Sequence, residues 1–457
     1  MSGVESPRAG SRWSSIATYG LGGLVGGLAG GAFVVVVTLA LKTMLEFVSS
    51  RVTWVLIVVP LIGLALTVLV LQVFGHRETA QSDGPRVTPP RGSPSRAQNW
   101  RTFPPGAIQA DITGDVVDSA GEEERFPWRL TPIRTLAIFA TVGLGAGMGT
   151  EAPAAYFGVA AGAFLGDRGR WWRRFLRPAA LGGGAAGVAA LMGIPLVGTA
   201  YMLELGRRHK APLSAERVTA ALVGGFVGWG IDVLFGLSLI RLVVPKEPPL
   251  DFVHAAITAL FIGALSGAIT SLAASAIYRA KDWQASPGVR LAWGALAAGV
   301  TAVTLTMIAA PSAAVGPGGG AILWAESANA LPVTLLAVAL LRAVATTAAV
   351  AAGGCGGVFV PFLAIGDLGG RVFAPGLGVG DDLAGAAGAA AGISGGYHLP
   401  FTAIAMVLGV GGPHLATLTC LATVVTASLA GSGVASFFDR FTGLLHYRRP
   451  ARPTKAA

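Results

Sequence analysis

The 457 residues carry 12% charged side chains against 53% hydrophobic ones, about half of the ~25% charge usual in soluble domains, and the mean hydropathy is +0.65. A soluble globular domain is excluded, and an all-α polytopic membrane protein is expected. The formal net charge of +10 does not point to nucleic acid, because the basic residues stand in loops between apolar runs, where they report orientation in the membrane.

The chain opens on a polar stretch, 1–15, with Glu5, Arg8 and Arg12, before an apolar run too long for a signal-peptide core. Runs able to cross a ~30 Å hydrocarbon core are predicted at 17–48 and 54–74, within a first membrane segment of 16–75. Residues 76–127 are rich in Pro, Gly, Ser and Arg ("RVTPPRGSPSRAQNWRTFPPG") and then acidic ("GEEERFP"), which predicts a partly disordered cytoplasmic loop. A first core, 128–245, holds spans at 133–150, 178–203 and 218–243. A second, 250–445, holds spans at 253–277, 291–310, 331–352 and 383–432. The tail 446–457 closes the chain, too short for a soluble domain beyond the last span.

Arg168, Arg170, Arg173 and Arg174 follow one apolar segment, Arg207, Arg208 and Lys210 another, and Arg448, Arg449, Arg452 and Lys455 the last. The positive-inside rule then puts these loops and both termini in the cytoplasm. The 66 glycines favour close helix packing. Cys355 and Cys420 form no disulfide framework, and the six histidines form no pattern such as His-Glu-x-x-His. No metal, cofactor or enzymatic activity is expected.

Two stretches break the apolar pattern in the same way. "GTEAPAAYFGVAAGAFLG" from Gly149 is followed by "GIPLVGTAYMLEL", and "GGVFVPFLAIGDLGG" from Gly356 is followed by "HLPFTAIAMVLGV". The same ordered pair of glycine-proline signatures in each half predicts two inverted-topology repeats, with broken helices meeting at a central site. A helix that starts inside a membrane leaves its first N–H groups without partners, and its dipole puts about +0.5 charge at that end. The occupant this favours is a small anion. Glu151, at the first break, reads as a tethered copy of that anion, or alternatively as a simple capping acid.

These residues resemble the CLC family of chloride channels and chloride/proton antiporters. The family's helix start of Gly, a basic residue, Glu, Gly and Pro is similar to "GTEAP" at 149–153, and its Gly-x-Phe-x-Pro pattern to "GVFVP" at 357–361. Arg342 and "GPGGG" at 316–320 stand upstream of the second motif, as in family members. The likeness covers roughly 127–445 and, more loosely, the first two spans. It is that of a divergent prokaryotic-type member without a C-terminal regulatory domain.

The resemblance implies that backbone N–H groups of Val358 and Phe359 bind a central anion and those of Thr150 and Ala152 an outer one. Gly149 and Gly357 would be the helix-start glycines and Glu151 the gating acid. It also marks departures. Thr150 stands for the family's basic residue and Ala152 for its glycine. The family's Gly-Ser-Gly-Ile-Pro helix start finds its nearest counterpart in "PPGAIQAD" at 104–111, without the serine. Phe441, in "FDRFTGLL", stands at the anion-binding tyrosine and lacks its hydroxyl. Leu205 stands at the family's internal proton acceptor, next to Glu204. Glu204 is a possible proton relay, although a salt bridge with Arg207 and Arg208 is the simpler expectation.

The resulting reading is a CLC-like, chloride-type anion channel or passive transporter with a glutamate gate. A proton-coupled chloride antiporter is the alternative, and a degenerate CLC-fold protein with a structural or partner-binding role a further one. Its partners would be chloride or a similar small monovalent anion, the lipid of a bacterial plasma membrane, and a second copy in a homodimer.

Overall fold

The computed structural model describes residues 9–79, 112–121, 126–167, 176–208, 211–236, 251–411 and 417–442. The chain begins with two long apolar helices, α1 (Ala9–Ser49) and α2 (Thr53–Thr79). The next element falls inside the segment expected to be a loop: α3 (Ile112–Gly121) is a short helix. Its residues Ile112, Val116, Val117 and Ala120 are buried. Spaced at four, five and eight positions, they lie on one helical face, which is why so polar a stretch docks into the core.

The predicted span 133–150 does not cross as one helix. Instead α4 (Thr131–Ile138) passes into a π-turn at Phe139–Gly143, and the chain leaves helical geometry at Gly145, where φ is +86°. Three short helices follow, α5 (Glu151–Asp167), α6 (Leu176–Met192) and α7 (Pro195–Arg208). The predicted span 178–203 is thus two helices, divided at Gly193 with φ +70° and restarted by Pro195, whose missing N–H costs nothing in a first turn.

Long helices then return in α8 (Ala215–Phe235), α9 (Phe252–Lys281) and α10 (Pro287–Ile308). Their ends carry local signals: Ser214 accepts the Arg217 N–H before α8, and Asp251 accepts the His254 N–H at 2.7 Å before α9, each satisfying an orphan first-turn donor. Two short pieces, α11 (Pro311–Ala314) and α12 (Gly319–Ser327), precede α13 (Pro332–Ala351). The second triplet is α14 (Phe359–Leu377), α15 (Asp381–Tyr397) and α16 (Pro400–Gly411), and α17 (Leu418–Thr442) follows it. The predicted span 383–432 is therefore three helices. Among the described residues, seven helices are long and apolar enough to cross a membrane.

The triplets α5–α6–α7 and α14–α15–α16 are the inverted repeats. In each, the first two helices cross at paired glycines. A Cβ on Gly158 would run into the backbone oxygen of Gly183 in α6, and one on Gly366 into that of Gly388 in α15. Contact this close needs residues without side chains. The core lies where the triplets meet, around the fully buried Met148, Tyr156, Phe157, Tyr201, Phe359 and Phe362.

A buried ionic knot lies along α14. Arg371 donates to Asp367 Oδ1 at 2.8 Å, one turn away, and to Asp382 of α15 at 3.1 Å, with Glu326 of α12 at 3.7 Å. It ties three helices together.

Candidate functional site

The two broken segments are joined backbone to backbone. Gly149 donates its N–H to Gly357 O at 2.7 Å, and Gly357 donates to Gly149 O at 2.8 Å, an isolated antiparallel bridge. Because the strands of this bridge run in opposite directions, α5 leaves it one way and α14 the other. Helix starts from the two repeats therefore converge at one place, as the sequence predicts, and their first-turn amides face the same small volume.

Glu151 is the first residue of α5 and is 2% exposed. Its carboxyl lies beside the N–H groups of its own residue, of Val360 in α14 and of Thr150. Oε1 accepts the Thr150 hydroxyl at 3.1 Å, and Oε2 is buried with no hydrogen-bond partner. An acid thus occupies the spot at which two positive helix ends meet, the arrangement that suits a mobile anion. Thr150 and Ala152, expected at an outer anion position, are buried next to it.

A cavity of about 490 Å³ leads to this acid. Its walls include Lys42, Glu46 and Ser49 at the end of α1, Gly316, Pro317 and Gly319 before and at the start of α12, and Thr150, Glu151 and Val360 at its floor. The fully buried Arg342 of α13 shapes one wall: it donates to Gly316 O at 2.5 Å and to Ala313 O at 3.3 Å. Gly316 in turn donates to Gly145 O at 2.8 Å. Arg342 and "GPGGG", separate motifs in the sequence, are one structural unit here, pinned to the first repeat.

A second cavity, of about 80 Å³, lies on the other flank of the bridge. It is lined by Met148, Gly356 and Val358 of the bridging segments, by Ile112 and Thr113 at the start of α3, by Phe362 and Tyr397, and by Tyr278 and Lys281 at the end of α9. The Tyr397 hydroxyl lies near the Thr113 side chain and the Val358 N–H. The sequence singled out neither hydroxyl; it marked the family's serine as absent at 104–111, which lies outside the described residues, and the tyrosine hydroxyl as absent at Phe441. Phe441 falls in the last turn of α17. The proline-punctuated start of α16 just after Tyr397 was visible in the sequence, but the direction in which that tyrosine points was not.

Phe359, expected at the central site through its backbone, packs its ring at 5.7 Å from Tyr397 and 6.0 Å from Tyr201. The loop before it is held by hydroxyls: Cys355 donates its N–H to Thr141 Oγ1 at 3.0 Å, and Thr141 pairs with Thr67 Oγ1 at 2.7 Å. Thr141 belongs to the π-turn, so that irregular turn supports the bridge.

Glu204, expected beside Arg207 and Arg208 as an ion-pair partner, reaches the start of α16. Its carboxylate accepts the N–H groups of Phe401 at 3.0 Å and Thr402 at 2.7 Å, and the Thr402 hydroxyl at 2.5 Å. It caps the start of α16 from α7, where negative charge offsets the helix dipole. Leu205, at the acceptor position, is fully buried.

A family profile described as "Voltage gated chloride channel" (Voltage_CLC) matches residues 100–432. The chain belongs to the CLC family. It is an integral membrane protein of that chloride-transport family, as its composition and apolar helices require. A curated relative, the H(+)/Cl(-) exchange transporter ClcA of Yersinia pestis bv. Antiqua (strain Angola), is 25% identical over 321 residues, covering 66% of this chain. This chain spans 65% of that relative's length. Among solved structures, a CLC-type fluoride/proton antiporter aligns with a TM-score of 0.65 at 21% identity, over 92% of this chain and 96% of the other. A slow cyanobacterial Cl-/H+ antiporter aligns with a TM-score of 0.66 at 20% identity, over 95% and 99%. At these identities the CLC structures speak for the shared fold.

Proposed function

We propose that this CLC protein exchanges a chloride-type anion for protons, with Glu151 as the group that meets both. The observation that carries the reading is the buried carboxyl of Glu151 between the starts of α5 and α14, one oxygen unpartnered at the floor of the larger cavity. An ionised Glu151 competes with the anion for the same amides. A protonated one loses its attraction to them and gives way. Occupation by anion and by carboxylate is thereby mutually exclusive, which is the physical basis of exchange. The names of the relatives favour this over the passive channel expected from Leu205, so coupling becomes the main reading and the channel its rival.

The anion's route runs from the large cavity, past Glu151, between the amides of Thr150 and Ala152 and those of Val358 and Phe359, to the small cavity. Lys281 at the wall of the small cavity adds a cation, and Thr113 and Tyr397 add the hydroxyls absent from the expected positions. The charge pattern of the loops puts the small cavity and both termini on the cytoplasmic side of a bacterial plasma membrane, in a homodimer with one path per subunit.

In proteoliposomes, an imposed chloride gradient should drive protons uphill. Chloride movement without proton movement would return the channel reading to first place. If the Tyr397 hydroxyl faces the anion, Tyr397→Phe should weaken chloride binding several-fold in calorimetry, since a lost hydrogen bond costs about 0.5–1.5 kcal/mol. Unchanged affinity would remove Tyr397 from the anion path.

A further inference from the structure

The geometry points to a second proton-handling site, the pair His398–Asp439, whose histidine directly follows Tyr397 of the small cavity and which passes protons between that side of the membrane and Glu151. The inference rests on the antiport reading, which needs an inner proton acceptor while the family's position for it holds a buried leucine.

Three observations support it. His398 Nε2 lies 3.5 Å from Asp439 Oδ2 of α17, with side chains 28% and 26% exposed, so water reaches a pair that is otherwise enclosed. Asp439 Oδ1 is buried and makes no hydrogen bond. His398 also has φ +56°, the sole positive value on a non-glycine residue among the described ones. Glycine adopts this helix-ending conformation without strain, and Gly236 and Gly378 do so after α8 and α14. A histidine held there is an outlier that ending a helix does not require.

The preceding residue is Tyr397, which lines the small cavity and packs its ring 5.7 Å from that of Phe359 at the start of α14. The cavity of about 80 Å³ has room for two or three waters at roughly 30 Å³ each. Glu204 from α7 caps the start of α16, two residues beyond His398, and Tyr278 and Lys281 from α9 line the small cavity with Tyr397. A proton leaves bulk water for an imidazole nitrogen, and Asp439 balances the imidazolium. It then passes through water and hydroxyls to the Glu151 carboxylate, leaving a neutral imidazole and a neutral carboxyl. No other bond forms or breaks.

The test uses the purified full chain in proteoliposomes, with chloride and proton fluxes recorded together. His398→Asn is the main variant because asparagine tolerates left-handed backbone, and His398→Gly is a second that keeps the cap. Both should still move chloride, while the ratio of proton to chloride flux falls about tenfold or more, as expected when a positioned proton-transfer group is lost. Asp439→Asn should keep coupling but move its pH dependence to more acidic values, because the imidazolium loses its counter-charge. An unchanged flux ratio in the His398 variants, or a parallel fall of both fluxes, would overturn the relay. A wild-type protein that moves chloride without protons would instead strike down the antiport reading beneath it.

Discussion

Glu151→Gln should abolish coupled proton movement, by about a hundredfold or more, while the anion continues to flow down its gradient. Glutamine keeps the shape of the protonated acid but cannot bind or release a proton, so the anion no longer exchanges places with a charged group. Glu151→Ala should act alike and raise anion flux further, since nothing then competes for the amides of α5 and α14. In the wild type, lowering the pH should increase anion flux, because protonation removes the negative charge that holds the carboxyl at two positive helix ends. In Glu151→Gln that dependence should flatten.

The neighbouring glycine offers an independent check that leaves the acid in place. A Cβ on Gly149 would collide with Glu151 Oε2, the far end of a flexible side chain that can yield. Gly149→Ala should therefore dislodge the carboxyl and raise anion flux at neutral pH. Folded Glu151→Gln and Glu151→Ala proteins that transport no anion would show that the acid builds the path and does not gate it.

The second large effect concerns stability. Arg371 is 3% exposed and lies between Asp367, at 1%, Glu326, at 10%, and Asp382, at 35%. Arg371→Met would remove the cation shared by Asp367, Asp382 and Glu326, and removing one partner of a buried ion pair typically costs about 3–5 kcal/mol. The loss should appear as a large drop in the thermal unfolding temperature of the detergent-solubilised protein. Arg371→Lys keeps the charge but not the planar fork that reaches several acids at once, and should fall between. Adding Asp367→Leu to Arg371→Met should recover part of the loss, because the deepest uncompensated carboxylate is then gone. Wild-type stability in Arg371→Met would mean that the network contributes nothing net.

The meeting of the two broken segments was legible in the sequence, although the backbone bridge between Gly149 and Gly357 was not. Glycine allows close approach, proline opens a helix without a wasted donor, and the pair of signatures occurs twice in the same order. Membrane insertion was equally legible, since apolar length against hydrocarbon thickness is a one-dimensional property. Glu151 stood out because an acid inside such a stretch needs a reason to be there.

Other features depended on contacts between residues far apart in the chain. The runs 133–150, 178–203 and 383–432 look continuous in hydropathy, yet each is broken, since an apolar run does not record where Gly145, Gly193 or His398 turns left-handed. Residues 112–121 look like loop because their charge and glycine hide an apolar face that only docking into the core reveals. Glu204 stands beside Arg207 and Arg208 in the sequence, and only the fold brings the start of α16 within its reach. The hydroxyls of Thr113 and Tyr397 could not be foreseen at the small cavity, because the helices carrying them are brought together only by packing. A membrane-embedded pair of broken repeats with an acid at their meeting point follows from local features of the chain, namely apolar length, glycine-proline breaks and one acid inside them. Tertiary structure alone decided which side chains surround that point, because their convergence follows from the packing of helices distant in the chain.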